Sequence, residues 1–200
     1  MAAPDRREIE QRRALFQALT GNEGADVGAG DNVAGMLRTV YGTVRRGQAV
    51  VDTREAARRL GVSQRTVQRW LKNENAPSPE HLAALRKRSR QAATTKRGRA
   101  RALKRAIATA GFQRDGVRVE VSGMQGPQDY ARDRLSRLKL APDEYQGLLD
   151  AYAEGGDNAA LEYLQEVYGE KYVDNWRFNT VSGFRLAGLS SIDRDDPRAL

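Results

Sequence analysis

GVSQRTVQRWLKN, residues 61–73, decides how this chain is read. Gly61 is placed for a tight turn, Val62 for a plug into a core, and Ser63 for a helix cap. Val67, Trp70 and Leu71 then recur at three- and four-residue spacing, the inner face of a short helix. Gln64, Arg65, Gln68 and Arg69 remain on its outer face, near the N-terminal end. Just upstream, DTREAARRL (52–60) predicts a partner helix with Ala56, Ala57 and Leu60 inward. Asp52 or Thr53 can cap it, and Asp52 to Glu55 has the spacing of a capping box. The small Ala56, five positions before Gly61, lets the two helices cross closely. Such a pair presents the first turns of its second helix outward, where Arg can fork onto guanine and Gln onto adenine. The expectation is a helix-turn-helix with Gln64, Arg65, Gln68 and Arg69 on base edges and Ser63 and Thr66 on phosphate. The plainer alternative is a helical hairpin with a solvated outer face; cap, turn glycine, plug and outer residues together favour the reading helix.

Outward from this stretch, residues 33–46 place Val33, Met36, Leu37, Val40, Tyr41 and Val44 at helical spacing, with Gly47 as the stop. Residues 6–19 carry Ile9, Phe16 and Leu19 on a helical face and lead into GNEGADVGAGDN, a flexible connection. After Pro77 and Pro79, residues 79–92 complete the helical bundle through Leu82, Ala84 and Leu85. Residues 86–105 hold ten Lys or Arg and no acid. Beside a reading helix, Arg86, Lys87, Arg88, Arg90, Lys96, Arg97, Arg99 and Arg101 are expected to track phosphates and to make binding salt-dependent. Leu103, Ala106, Ile107 and Ala110 make the second part of this run a helix that packs on something.

Charge divides the chain. Residues 1–110 carry 23 basic and 10 acidic side chains, residues 111–200 carry 11 and 16, and six of seven tyrosines follow residue 110. One part is suited to a polyanion and the other is not. The second part opens with Val117, Val119 and Val121 alternating with Arg118 and Glu120, a half-buried strand. QDYARDRLSRLKL (128–140) reads as a polar helix. A helix from Pro142 has Tyr145, Leu148, Leu149 and Tyr152 on one face, and EGGDN breaks it. A second helix carries Leu161, Leu164, Val167, Tyr168 and Tyr172. A strand at about 183–192 is suited to pair with the valine strand, and the last residues are expected to fray. The resulting fold class is mostly α with a small β element (α+β): an N-terminal helix-turn-helix bundle followed by a smaller α+β domain. Its expected divisions are a flexible or partly helical arm (1–32), the DNA-binding domain (33–92), a basic linker helix (93–110) and an acidic α+β domain (111–200).

Catalytic constellations are not apparent. There is no cysteine and one histidine, His81, so a zinc site is not expected, nor any other metal or cofactor. Asp129 and Asp133, flanked by Arg132 and Arg134, read as a salt-bridged surface rather than a metal pair. GNEGADVGAG lacks the strand and lysine of a phosphate-cradling loop. Tyr130 sits where a nucleophile can be exposed, but a relaxase needs a histidine cluster that one histidine cannot supply. No apolar run has the roughly 18 residues of a membrane helix, and the polar start shows no secretory signal. The lack of cysteine fits a reducing cytoplasm, and no constellation for a hydrolase, a nuclease or a polymerase is apparent.

The order of parts, from LGVSQRTVQRWLKN through a basic helix, a strand, a Gly-Pro loop and LAPDEYQGLLDAY to VYGEKYVDNWR, resembles the terminal proteins (Tpg family) of actinomycete linear chromosomes and plasmids. The similarity covers roughly residues 33–192. It implies a protein that binds double-stranded telomeric DNA together with a telomere-associating protein. A side-chain hydroxyl then accepts the first deoxynucleotide from a DNA polymerase and stays on the 5′ end. The family's acceptor is a threonine in the loop region before the polar Arg segment. The matching stretch here, VSGMQGPQDYARDR, has no threonine, leaving Ser122 and Tyr130 as candidate acceptors and Thr109 as a third. The alternative is a transcriptional or partition regulator, whose valine and C-terminal strands can join two subunits into a homodimer.

Overall fold

The computed structural model describes residues 5–22, 32–107 and 116–188. Thr109, the glycine-rich residues 23–31 and the end of the chain from 189 lie outside the described residues. The fold is α+β, as expected: eight helices, a two-stranded hairpin and a four-stranded antiparallel sheet among the described residues. Contacts divide it into two compact units, Thr20–Thr109 and Met1–Leu19 together with Ala110–Leu200.

In the first unit, α2 (Val33–Tyr41) leads into β1 (Gly42–Arg45) and β2 (Gln48–Val51), followed by α3 (Thr53–Leu60), α4 (Gln64–Leu71), α5 (Pro79–Thr94) and α6 (Lys96–Ile107). Asn32, Asp52, Ser63 and Ser78 each cap the helix that follows, accepting the backbone N–H three residues on. Without such caps the first N–H groups of each helix would be orphaned. The core joins Met36, Leu37 and Tyr41 of α2 to Ala56, Ala57 and Leu60 of α3, Val67 and Trp70 of α4, and Leu85 of α5. His81 is committed to this scaffold: its ring nitrogens face Ser78 Oγ at 2.6 Å and the Leu60 carbonyl at 3.0 Å, beside Trp70.

Two expectations for this unit change. The helix expected over 33–46 ends at Tyr41, and residues 42–51 form an antiparallel hairpin with Gly42 opposite Val51. The helix expected to link two domains instead packs as α6 in the same unit. Arg105 donates to the carbonyls of Thr39 at 2.6 Å and Gly42 at 2.7 Å, satisfying the exposed C-terminal end of α2. Thr95 separates α5 from α6 and accepts the Gly98 N–H. Gly98 permits the close crossing, since a Cβ there would lie 2.3 Å from the Gln91 carbonyl oxygen.

In the second unit, β3 (Val117–Pro127) is the central strand, paired on one side with β4 (Arg132–Leu140). On its other side lie β6 (Gly183–Gly188), along residues 117–122, and β5 (Trp176–Phe178), along 125–127. The strand expected near 183 thus pairs with the valine strand within one chain. Val117, Val119 and Val121 are buried, as are Tyr145, Leu148, Leu149 and Tyr152 of α7 (Pro142–Gly155) and Leu161, Leu164, Val167 and Tyr168 of α8 (Asp157–Lys171). Tyr172, expected on that face, is 53% exposed, because α8 ends at Lys171 before its stripe is complete. The N-terminal segment is ordered into α1 (Arg6–Thr20), whose Arg12 meets Asp157 at 3.5 Å and whose Gln11 reaches Asp157 and Asn158.

Of the polar helix expected over 128–140, residues 128–131 form a loop and residues 132–140 form β4. Its inward positions are Arg134, Ser136, Leu138 and Leu140, so the alternation is half polar and reads poorly as a strand. Asp133 consequently faces out opposite Met124 rather than stacking one turn from Asp129, and the expected salt-bridged helical surface does not form. Arg134 instead donates to the Tyr130 carbonyl at 3.1 Å and lies over the Trp176 ring.

Candidate nucleic-acid interface

The turn between α3 and α4 follows from three residues. Gly61 takes φ 70°, the left-handed conformation that glycine adopts without a Cβ clash. Val62 packs on the core, and Ser63 Oγ accepts the Thr66 N–H at 3.1 Å. Trp70 is 3% exposed and Val67 fully buried, so the opposite face of α4 is turned to solvent. Asp52 caps α3, but Glu55 does not complete a capping box. Its carboxylate binds Arg58 and Arg59 at 2.7 and 2.9 Å, which lowers its pKa.

The outer residues of α4 differ in what they are free to do. Gln64 donates to Thr53 Oγ1 at 2.8 Å, joining the starts of α3 and α4. Ser63 and Thr66 hydroxyls lie 2.8 Å apart, so the pair expected on phosphate is first of all a cap. Arg69 pairs with Glu74 at 3.7 Å, an exposed contact of little energy. Arg65 and Gln68 are exposed and, among the described residues, make no side-chain hydrogen bond or ion pair. Three positions apart on one face, they keep their full donor sets for base edges.

The basic run is sorted by its two helices. Arg86, Lys87 and Arg90 on α5 and Lys96, Arg97 and Arg101 on α6 are exposed. Arg97, Arg101 and Lys104 share one face of α6. Two residues expected on phosphate are structural instead. Arg88 is half-buried and donates to the Tyr41 hydroxyl and the Arg59 carbonyl. Arg99 is 7% exposed and donates to the Thr94 carbonyl at 3.1 Å, closing the end of α5. Its place three and four residues before the buried Ala102 and Leu103 is the sequence signal for that inward role. The hairpin tip, which periodicity does not reveal, also carries exposed arginines, Arg45 and Arg46.

The second unit presents a different feature. Tyr130, 64% exposed, stands in the loop between β3 and β4, with the Arg132 guanidinium 5.3 Å from its ring centre. On the inner side of the β3–β4 pair a polar network links the two strands. Gln125 donates to the carbonyls of Val121 and Arg134, Ser136 donates to Gln125 at 2.6 Å, and the Ser136 and Tyr168 hydroxyls lie 2.9 Å apart. Ser122 is half-buried in mid-strand, paired with Leu135 on one side and Gly183 on the other.

Burial pushes the Tyr168 phenol up to about 12 from an ordinary 10, against a smaller lowering by Ser136. The unfolded chain loses this proton near pH 10 and the folded chain near 12. The contribution to stability is therefore complete below pH 10 and declines between 10 and 12. Denaturant titrations at about pH 9.5 and about pH 11.5 are expected to show that decline. Tyr168→Phe is expected to lessen it, the remainder coming from Tyr145 and Tyr163, whose phenols burial also pushes up.

A helix-turn-helix family, HTH_3, matches residues 53–88. No curated protein and no solved structure matches the chain. The matched span holds α3, the Gly61 turn, α4 and the first part of α5, so the chain carries a helix-turn-helix, and with it a DNA-binding element. Among the described residues, no helix is long and apolar enough to cross a membrane.

Proposed function

We propose that the chain is a DNA-end protein of a linear bacterial replicon. Its helix-turn-helix holds the duplex terminus, and its second unit offers a hydroxyl to a DNA polymerase as the primer. The observation carrying this reading is Tyr130: an exposed phenol at a loop tip, beside Arg132 and on a strand pair fixed from within. A primer hydroxyl must enter a polymerase cleft, and a loop tip can do so where a mid-strand residue such as Ser122 cannot. Arg132 supplies positive charge for the incoming triphosphate. In the step itself, the Tyr130 oxygen attacks the α-phosphorus of a deoxynucleoside triphosphate and pyrophosphate leaves. The phenolic proton passes to the polymerase site, which supplies the metal ions and the catalysis. The chain is then a substrate rather than an enzyme, acting in the cytoplasm with a polymerase and a telomere-associating protein as partners.

Incubation with labelled deoxynucleotide, the host polymerase and a terminal template is expected to give a label on the protein that survives SDS. Tyr130→Phe is expected to remove it. Label retained by that variant excludes Tyr130 and moves the acceptor to another hydroxyl, Thr109 before the mid-strand Ser122, whose use would require the strand to open. No label in a system that replicates ends leaves the regulator reading. That second reading draws on Met124 and Leu135, exposed on the outward face of the sheet and suited to joining two copies. It expects a homodimer in solution and a footprint on a palindromic internal site with half-sites about one helical turn apart.

A further inference from the structure

We propose that the β1–β2 hairpin is a second DNA-contacting element, its tip residues Arg45 and Arg46 holding the phosphate backbone beside the groove that α4 enters. The proposal rests on the DNA-binding reading of α4 and extends it to a segment outside the 53–88 match.

Placement is the first argument. β2 ends at Val51, Asp52 caps α3, and Gln64 at the start of α4 hydrogen-bonds Thr53 at the start of α3. The base of the hairpin and the first turns of both helices therefore meet at one point. In a docked helix-turn-helix the first helix crosses the phosphate backbone while the N-terminal residues of the second reach base edges. The hairpin leaves from the first helix's N-terminal end, next to that crossing. Four residues per strand, at about 3.3 Å each, carry its tip about 13 Å from Asp52. That reach compares with a major groove about 12 Å wide.

Charge is the second. Gly42 to Val51 contains two arginines and no acid. Arg45 and Arg46 are exposed and, among the described residues, make no hydrogen bond or ion pair through their side chains. The base is held firmly, by Arg105 on the Gly42 carbonyl and by the Asp52 N–H on the Tyr41 carbonyl at 2.9 Å. A charged tip on an anchored stem loses little freedom on meeting a polyanion.

Backbone conformation is the third, and it is independent of the other two. Arg45 pairs with Gln48, leaving Arg46 and Gly47 as a two-residue turn with φ of 51° and 75°. Both are left-handed, the type I′ geometry in which Asn, Asp or Gly is favoured at the first position. Arginine there is uncommon and strained. Turn formation does not select Arg46, whereas a contact made by its charge does.

The test uses the full chain and a fluorescently labelled mixed-sequence duplex of about 30 base pairs, titrated over a range of salt. Arg45→Ala with Arg46→Ala is expected to weaken binding about tenfold near 0.1 M salt. It should also reduce the log–log salt slope by about 1.8, two phosphates at about 0.9 each. Arg46→Asn guards against misfolding: it suits the turn, so the melting temperature should rise while affinity and slope fall. If the parent binds with a steep salt slope and both variants match it, the hairpin proposal is overturned and the α4 reading stands. If the parent itself does not bind duplex, the helix-turn-helix reading fails first and the proposal falls with it.

Discussion

Trp70→Ala is expected to destabilise the helix-turn-helix unit by about 3–5 kcal/mol and to abolish duplex binding. The indole is 3% exposed and lies among Leu60, Val67 and Leu85, with the His81 ring 5.6 Å away. Alanine leaves a cavity that the short helices α3 and α4 cannot close without moving. Small domains have about 5–15 kcal/mol of stability in total, so a loss of this size removes much of it. His81 is affected too, since its bonds to Ser78 and Leu60 hold α5 against α3. Trp70→Phe keeps an aromatic ring and should lose less. Denaturant unfolding followed by circular dichroism, with DNA binding in parallel, measures both. A Trp70→Ala protein as stable as its parent would mean that the indole is not core. The outward face of α4 would then have to be reassigned.

Arg65→Ala is expected to weaken binding to the preferred duplex by about 1–3 kcal/mol while hardly changing affinity for mixed sequence. The side chain is exposed on the first turn of α4 with no partner among the described residues, so it is available to a guanine edge. Arg65→Lys should recover little, because a point charge cannot replace a two-pronged guanidinium. The preferred duplex can be selected from a random pool and affinities compared by fluorescence anisotropy. Arg97→Ala is the contrasting case: it should weaken every sequence alike and lower the salt slope by about 0.9. If Arg65→Ala behaved like Arg97→Ala, Arg65 would be a backbone contact and base reading would pass to other residues of α4.

The parts of the fold legible in the sequence are those written by local chemistry. Asp52, Gly61, Val62 and Ser63 each specify a backbone event within a few residues, and the inner faces of α3 and α4 need only one turn of context. The α7 stripe, and the α8 stripe as far as Tyr168, are equally plain, because Tyr, Leu and Val recur there at helical spacing. The hairpin at 42–51 was hidden because Val44 continues the helical spacing of Val40 and Tyr41. Its turn also lacks the Asn-Gly or Asp-Gly that marks such turns. β4 was hidden because half of its inward positions are Arg134 and Ser136, which serve Trp176 and Gln125 rather than an apolar core. Along the basic run, a count of charges does not separate the arginines that stay exposed from those that turn inward. Arg88, Arg99 and Arg105 turn inward to satisfy a phenol or backbone carbonyls, and only their neighbours at three- and four-residue spacing hint at that.

The carbonyls of Thr39 and Gly42 have a consequence for how the molecule can be cut. They are answered by Arg105, a side chain 17 residues beyond the end of the HTH_3 match at residue 88. A fragment ending at residue 88 would stop inside α5, discard α6 whole, and leave both oxygens to water. Excision guided by similarity alone would therefore loosen the stem on which Arg45 and Arg46 stand. The smallest piece able to keep the hairpin stem and its Arg105 anchor intact runs through residue 107.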